Sequence, residues 1–152
     1  MRMQLILNGE QRELVCEPTE MLLDVLEREG LTAARATCRI GVCGACTVLL
    51  DGEPVTGCIL FAAQAEGREV TTAEALDGRD PVQRAFLQAR AFQCGWCTPG
   101  FVLTVRALLQ DNPDPSDEEI AAALGGNLCR CGSYVKIADA VRIAARDRRE
   151  RA

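Results

Sequence analysis

The sequence predicts an α+β chain, with a strand-rich unit over residues 1–76 followed by a helical unit over residues 77–152. Three observations carry this. Asn8-Gly9 and Asp51-Gly52 each separate two short β-rich runs, and such pairs favour tight hairpins because both turn positions tolerate φ > 0. Beyond Thr72 the apolar period lengthens to that of a helix, with recurring start and stop signals. Eight of the nine cysteines fall into two sets, one in each half.

In chain order, residues 3–8 (MQLILN) and 12–16 (RELVC) read as the strands of the first hairpin. Thr19 is placed to cap a helix over Glu20 to Glu29, with Leu22, Val25 and Leu26 on one face and Gly30 as its stop. Thr47 to Leu50 and Pro54-Val55 flank the second hairpin turn. Ile59 to Ala63 is short and ambiguous between helix and buried strand, and Arg68 to Thr72 reads as a closing strand. Hairpin, helix, cysteine loop, hairpin and strand are compatible with a β-grasp ferredoxin-like unit.

In the second half, Asp80-Pro81 is an N-cap with proline at the first helical position, and Val82, Ala85, Phe86 and Ala89 form a stripe running to Phe92. Thr98-Pro99 repeats that signal ahead of an apolar helix from Phe101 to Leu109. Ser116 to Glu119 is a capping box opening a third helix that stops at Gly125-Gly126. Ser133 can cap a fourth, carrying Val135, Ala138 and Val141. Four helices in so short a segment imply a four-helix bundle.

The 152 residues carry a net charge of −5 and no histidine. Two units this small bury modest cores, so metal clusters would act as staples. Without histidine the commonest general base and the usual zinc and haem ligand are missing. The acidic balance argues against nucleic acid as a partner. The apolar run before Asn8 is too short for a signal peptide or a membrane span. A cytoplasmic, reducing compartment is therefore expected, where thiols stay available for metal.

Cys38, Cys43 and Cys46 stand in a C-x4-C-x2-C arrangement, and Cys58 follows after eleven residues. That is the spacing of a plant-type [2Fe-2S] loop. Four thiolates must converge on two irons, so the loop has to curl and turn its N–H groups toward the sulfurs; Gly41 and Gly44 suit the curl. Disulfides or zinc are the alternatives, and the x4 spacing weighs against zinc, where C-x2-C pairs dominate. Cys94 and Cys97 sit between the first two helices, Cys129 and Cys131 between the last two. An up-and-down bundle would bring both turns to one end. By spacing alone this second set suits a zinc site nearly as well as an iron–sulfur cluster. A catalytic dithiol at Cys94 and Cys97 lacks the βαβ context such a motif requires.

GVCGACTVLLDG at 41–52, QCGWCTPGF at 93–101 and GNLCRCGSYVKI at 126–137 resemble the small iron–sulfur subunit of the molybdenum hydroxylases, the xanthine dehydrogenase and aldehyde oxidase family, in its three-subunit form. The resemblance covers nearly the whole chain. It implies two [2Fe-2S] clusters, one on Cys38, Cys43, Cys46 and Cys58 and a second on Cys94, Cys97, Cys129 and Cys131. It implies a large partner subunit that carries a molybdopterin-type cofactor and hydroxylates the substrate. A medium subunit carrying FAD, or a cytochrome, would accept the electrons, in a heterotrimer or a dimer of heterotrimers. The set in the bundle would lie nearer the pterin, with Gln93 contacting it; as a bland reading, Gln93 merely caps a helix. The other function to weigh is a free-standing two-cluster ferredoxin.

Trp96 stands where this family more often has phenylalanine, and is read as packing. Cys16 reads as a buried apolar residue. Arg146, Arg148, Arg149 and Arg151 read as a solvated helix end supported by the macrodipole.

Overall fold

Both hairpins form. β1 (Arg2–Leu7) pairs antiparallel with β2 (Glu10–Val15), Leu7 facing Glu10, and β3 (Thr47–Leu50) pairs with β4 (Glu53–Thr56), Leu50 facing Glu53. All four turn residues, Asn8, Gly9, Asp51 and Gly52, have positive φ. The computed structural model describes residues 1–150, so Arg151 lies outside the described residues. β5 (Glu69–Thr71) enters between the hairpins, parallel to β1 and antiparallel to β3, and completes a mixed sheet in the order β2-β1-β5-β3-β4. With α1 (Leu22–Arg28) packed on it, this is the expected β-grasp unit.

Helices α2 (Pro81–Ala89), α3 (Thr98–Asp111), α4 (Asp117–Leu124) and α5 (Tyr134–Arg149) make the four-helix unit. The central member is α3, which packs on α2, α4, α5 and the sheet. It buries Phe101, Val102, Leu103, Thr104 and Val105 in succession, as a helix covered around most of its circumference does. The two units share β3 as a wall. Successive strand residues point to opposite faces, so Val48 and Leu50 enter the core beneath α1 while Leu49 enters the helical core with Phe86 and Phe101.

Several ends differ from the sequence reading. Thr19 does not cap α1; Met21 stands at the cap position, and the first free N–H groups, those of Leu22 and Leu23, donate to Leu60 O (2.8 Å) and Gly57 O (3.0 Å). The ambiguous segment after Cys58 becomes a short 3₁₀ turn, Ala62–Ala65. α2 stops at Ala89 instead of reaching Phe92, because Arg90 turns left-handed and the Ala91 N–H closes back on Phe86 O at 2.9 Å, a Schellman-type ending. α3 begins at Thr98 with Cys97 as its cap residue, and Ser133 at the start of α5 makes no side-chain cap bond. The capping box forms as read, with Ser116 Oγ accepting from Glu119 N–H at 3.2 Å and Glu119 Oε2 from Ser116 N–H at 2.7 Å. Cys16 is buried, its thiol donating to Met3 Sδ at 3.7 Å. The arginine run does more than end a helix: Arg148 donates to Leu109 O at the end of α3 and Arg149 pairs with Asp114.

Gly100, in the first turn of α3, lies against the carbonyl of Gly44, and a Cβ there would collide with that oxygen. Alanine ordinarily stabilises a helix relative to glycine by about 1 kcal/mol. Gly100→Ala is expected to do the opposite, lowering the denaturant stability of the metal-loaded protein by about 1–3 kcal/mol through forced displacement of backbone. A gain in stability would show that the contact yields freely.

Candidate metal centres

The first cysteine loop joins α1 to β3. It curls through positive φ at Arg39, Gly41 and Gly44, and Arg39 is held to α1 by Asp24 at 2.7 Å and Glu27 at 3.5 Å. Gly41 rests on Ile59, leaving no room for a side chain. The curl aims N–H groups at sulfur: Ile40 N–H points to Cys38 Sγ at 3.5 Å. The N–H groups of Ile40, Cys43 and Val42 together bring the Cys38 thiol down to about 6, since donors favour the charged form. Cys46, only 2 % exposed, is pushed up to about 12 by burial.

In the helical unit the two inter-helix turns meet. The Cys94 and Cys131 sulfurs lie 3.6 Å apart across them, and Cys97 lies beside Cys129. Trp96 N–H points to Cys94 Sγ (3.5 Å) and lowers its pKa; Ser133 N–H points to Cys129 Sγ (3.4 Å). Ser133 thus spends its N–H on sulfur. Burial raises the Cys97 thiol to about 12. At Cys129 burial alone would act the same way, but hydrogen bonds led by Ser133 outweigh it and the net shift is downward.

All nine cysteines are free thiols. Within each set the thiols neighbour one another in pairs: Cys131 donates to Cys94 at 3.6 Å, Cys97 lies beside Cys129, Cys43 beside Cys38 and Cys46 beside Cys58. Among the described residues no three Cys, Asp or Glu side chains gather as closely as one metal ion requires. Two pairs facing each other, with N–H groups directed at the sulfurs, fit a two-iron, two-sulfide group in which each iron takes two thiolates.

Gln93 caps no helix. It is exposed, four residues beyond the end of α2, and its Nε2 donates to Cys131 O at 3.1 Å, tying the two turns of the helical set together.

The two sets are themselves joined. Leu128 N–H donates to Cys43 O at 2.9 Å, and Asn127 Nδ2 to Gly44 O at 3.0 Å. At the solvent edge Arg35 donates to Gly95 O (2.9 Å) and Trp96 O (2.8 Å) while its guanidinium lies 4.7 Å above the Trp96 ring. The Trp96 indole N–H donates to Thr37 Oγ1 at 2.8 Å, a bond the family's phenylalanine could not make. Arg35 and Asn127 have no spacing that flags them in sequence, although Asn127 sits inside the third motif.

Residues 5–76 match the 2Fe-2S iron-sulfur cluster binding domain and residues 71–142 the [2Fe-2S] binding domain. The nicotinate dehydrogenase small FeS subunit of Eubacterium barkeri is 52% identical over 142 residues, covering 91% of this chain and 90% of that protein. This chain belongs to the small iron–sulfur subunits of the molybdenum hydroxylases. The nicotine 6-hydroxylase small subunit of Paenarthrobacter nicotinovorans is 46% identical over 137 residues, covering 88% of this chain and 83% of that protein. The fold superposes on quinoline 2-oxidoreductase of Pseudomonas putida with a TM-score of 0.92 at 40% identity, covering 99% of this chain and 96% of that one. In aldehyde oxidoreductase of Desulfovibrio desulfuricans the same fold (TM-score 0.93, 42% identity, 98% of this chain) is 17% of a longer chain.

The contrast between sulfurs is open to test on the folded, metal-free protein. Cys38 is expected to alkylate with a midpoint near pH 6, thiolate above it and thiol below, while Cys46 and Cys97 resist until near pH 12. Peptide mapping after iodoacetamide at stepped pH reads this, and equal reactivity at Cys38 and Cys46 would refute it.

Proposed function

We propose that the chain relays electrons within a molybdenum hydroxylase complex, on one [2Fe-2S] cluster held by Cys38, Cys43, Cys46 and Cys58 and another held by Cys94, Cys97, Cys129 and Cys131. The observation that carries this is the pair of four-thiol sets, each split two and two, brought together by bonds that include the one from Leu128 to Cys43. Such clusters, when bound, carry electrons one at a time. The chain's part is to hold the thiols, exclude water from Cys46, Cys58 and Cys129, and fix the distance between the sets. We place the division between the two units at residues 76 and 77.

Partners follow from the surface and the relatives. Large apolar side chains stand exposed around both sets: Ile40, Val42 and Ile59 near the first, Phe92, Leu128 and Val135 near the second. Apolar surface gathered at a cofactor site marks docking, and it weighs against a free-standing ferredoxin. A large subunit with a molybdopterin-type cofactor would cover the exposed Cys94 and Gln93; a medium FAD subunit, or a cytochrome, would face the first loop. The relatives are named as small subunits of a nicotinate dehydrogenase and a nicotine 6-hydroxylase, which points to the same kind of assembly, a heterotrimer or its dimer. No described helix is long and apolar enough to cross a membrane. Nine free thiols suit a reducing compartment, and on that ground the complex is placed in the cytoplasm.

The anaerobically purified protein is expected to contain four irons and four sulfides, two of each per cluster, no zinc, and two distinct S = 1/2 signals after dithionite. Two irons with one zinc would make the helical site structural and end the relay. Gln93→Ala should keep both clusters yet slow their reduction by substrate up to about tenfold, the value of one hydrogen bond. Wild-type rates would leave Gln93 as no more than a tie between the two turns.

A further inference from the structure

Asn127 is 5 % exposed and bonded at both ends of its side chain. Its Nδ2 donates to Gly44 O at 3.0 Å and lies 3.4 Å from Thr47 Oγ1, while its Oδ1 accepts from Thr104 Oγ1 of α3 at 3.0 Å. Gly44 lies between Cys43 and Cys46, and Asn127 stands two residues before Cys129. The next residue, Leu128, makes the backbone bond to Cys43 O. A Cβ on Gly44 would strike the Asn127 amide and Gly126 O, so the two turns approach as closely as glycine permits.

We propose that Asn127 is the positioning residue for electron transfer between the two cysteine sets. This rests on the two-cluster reading above. One neutral amide touches the first loop, α3 and, through its own backbone, the second set. It therefore fixes both the separation of the sets and the alignment of the Leu128–Cys43 bond. Electron tunnelling falls off exponentially with separation, so a small slip between the turns costs rate without removing either metal centre. Arg35 and Trp96 also span the two loops, but at the solvent edge, where water can replace their bonds.

The test uses the full complex with Asn127→Ala and Thr104→Val, the second removing only the hydroxyl that orients the amide. Asn127→Ala is expected to keep full iron and sulfide and both S = 1/2 signals. The magnetic splitting between those signals should change, and electron transfer between the sites, followed by rapid freezing after reduction, should slow by roughly tenfold, as small misplacements do. Thr104→Val should shift both readouts in the same direction by less. Unchanged splitting and rate in iron-replete Asn127→Ala would overturn the proposal. If that variant loses iron, Thr104→Val decides: slower transfer with full iron supports the role, and wild-type transfer overturns it. Fewer than two signals in the wild type would instead sink the two-cluster reading itself.

Discussion

Gly44 offers its carbonyl to three donors at once, the N–H of Thr47 at 3.2 Å, the hydroxyl of Thr47 at 2.7 Å and the amide of Asn127 at 3.0 Å. The same oxygen rests on Gly100 at the start of α3. Two of its donors come from the sheet and one from the helical unit, so this single group fastens the end of the first cysteine loop to both. The cost of leaving a buried carbonyl without partners is about 1–3 kcal/mol, and here it would fall on both units together. The glycines at 44 and 100 are thus demanded by proximity. Leu49, pointing from the sheet into the helical core, supplies the apolar counterpart of the same junction.

That junction matters because the thiols cannot settle by themselves. Cys46 and Cys97 are pushed up to about 12 by burial, so each remains protonated at neutral pH in the absence of a cation. A metal has to displace those protons, and the free energy of doing so is coupled to folding of the loops around it. Cys38 works differently. Exposed to solvent on one side, it gains its thiolate character from N–H groups of its own loop. Each set therefore combines a sulfur prepared to ionise with one that ionises only when metal arrives.

What could be read from the sequence, and what could not, divides along range. The turns at Asn8-Gly9 and Asp51-Gly52 and the Ser116–Glu119 capping box depend on neighbours a few residues away, and all stand in the structure as read. Thr19, Thr98 and Ser133 looked like caps by the same logic. Their helices begin without those side chains: Leu60 and Gly57 carbonyls take the first N–H groups of α1, Thr98 lies inside α3 with Cys97 as its cap residue, and Ser133 gives its own N–H to Cys129 sulfur. Asn127 and Arg35 act on residues 83 and 60 positions away, respectively. No local pattern announces such partners, even though Asn127 lies within one of the three motifs that carry the family resemblance.

The pairing within each set also bears on how the proposed relay would sit between its partners. In the helical unit Cys94 and Cys131 form the outward pair, next to the exposed Gln93, while Cys97 and the buried Cys129 form the inward pair. Leu128, adjoining that inward pair, bonds to Cys43 of the first loop. Cys43 pairs with Cys38, beneath the exposed Ile40 and Val42. On the proposed ligand assignment Gln93 and the outward pair would face the electron donor, the Leu128–Cys43 bond would help link the inward pair to the first loop, and the apolar tip at Ile40 and Val42 would face the acceptor. Such a relay would need a docking face at each set, and exposed apolar side chains stand near both. A free carrier needs only one docking face; a chain wedged between a donor and an acceptor needs two.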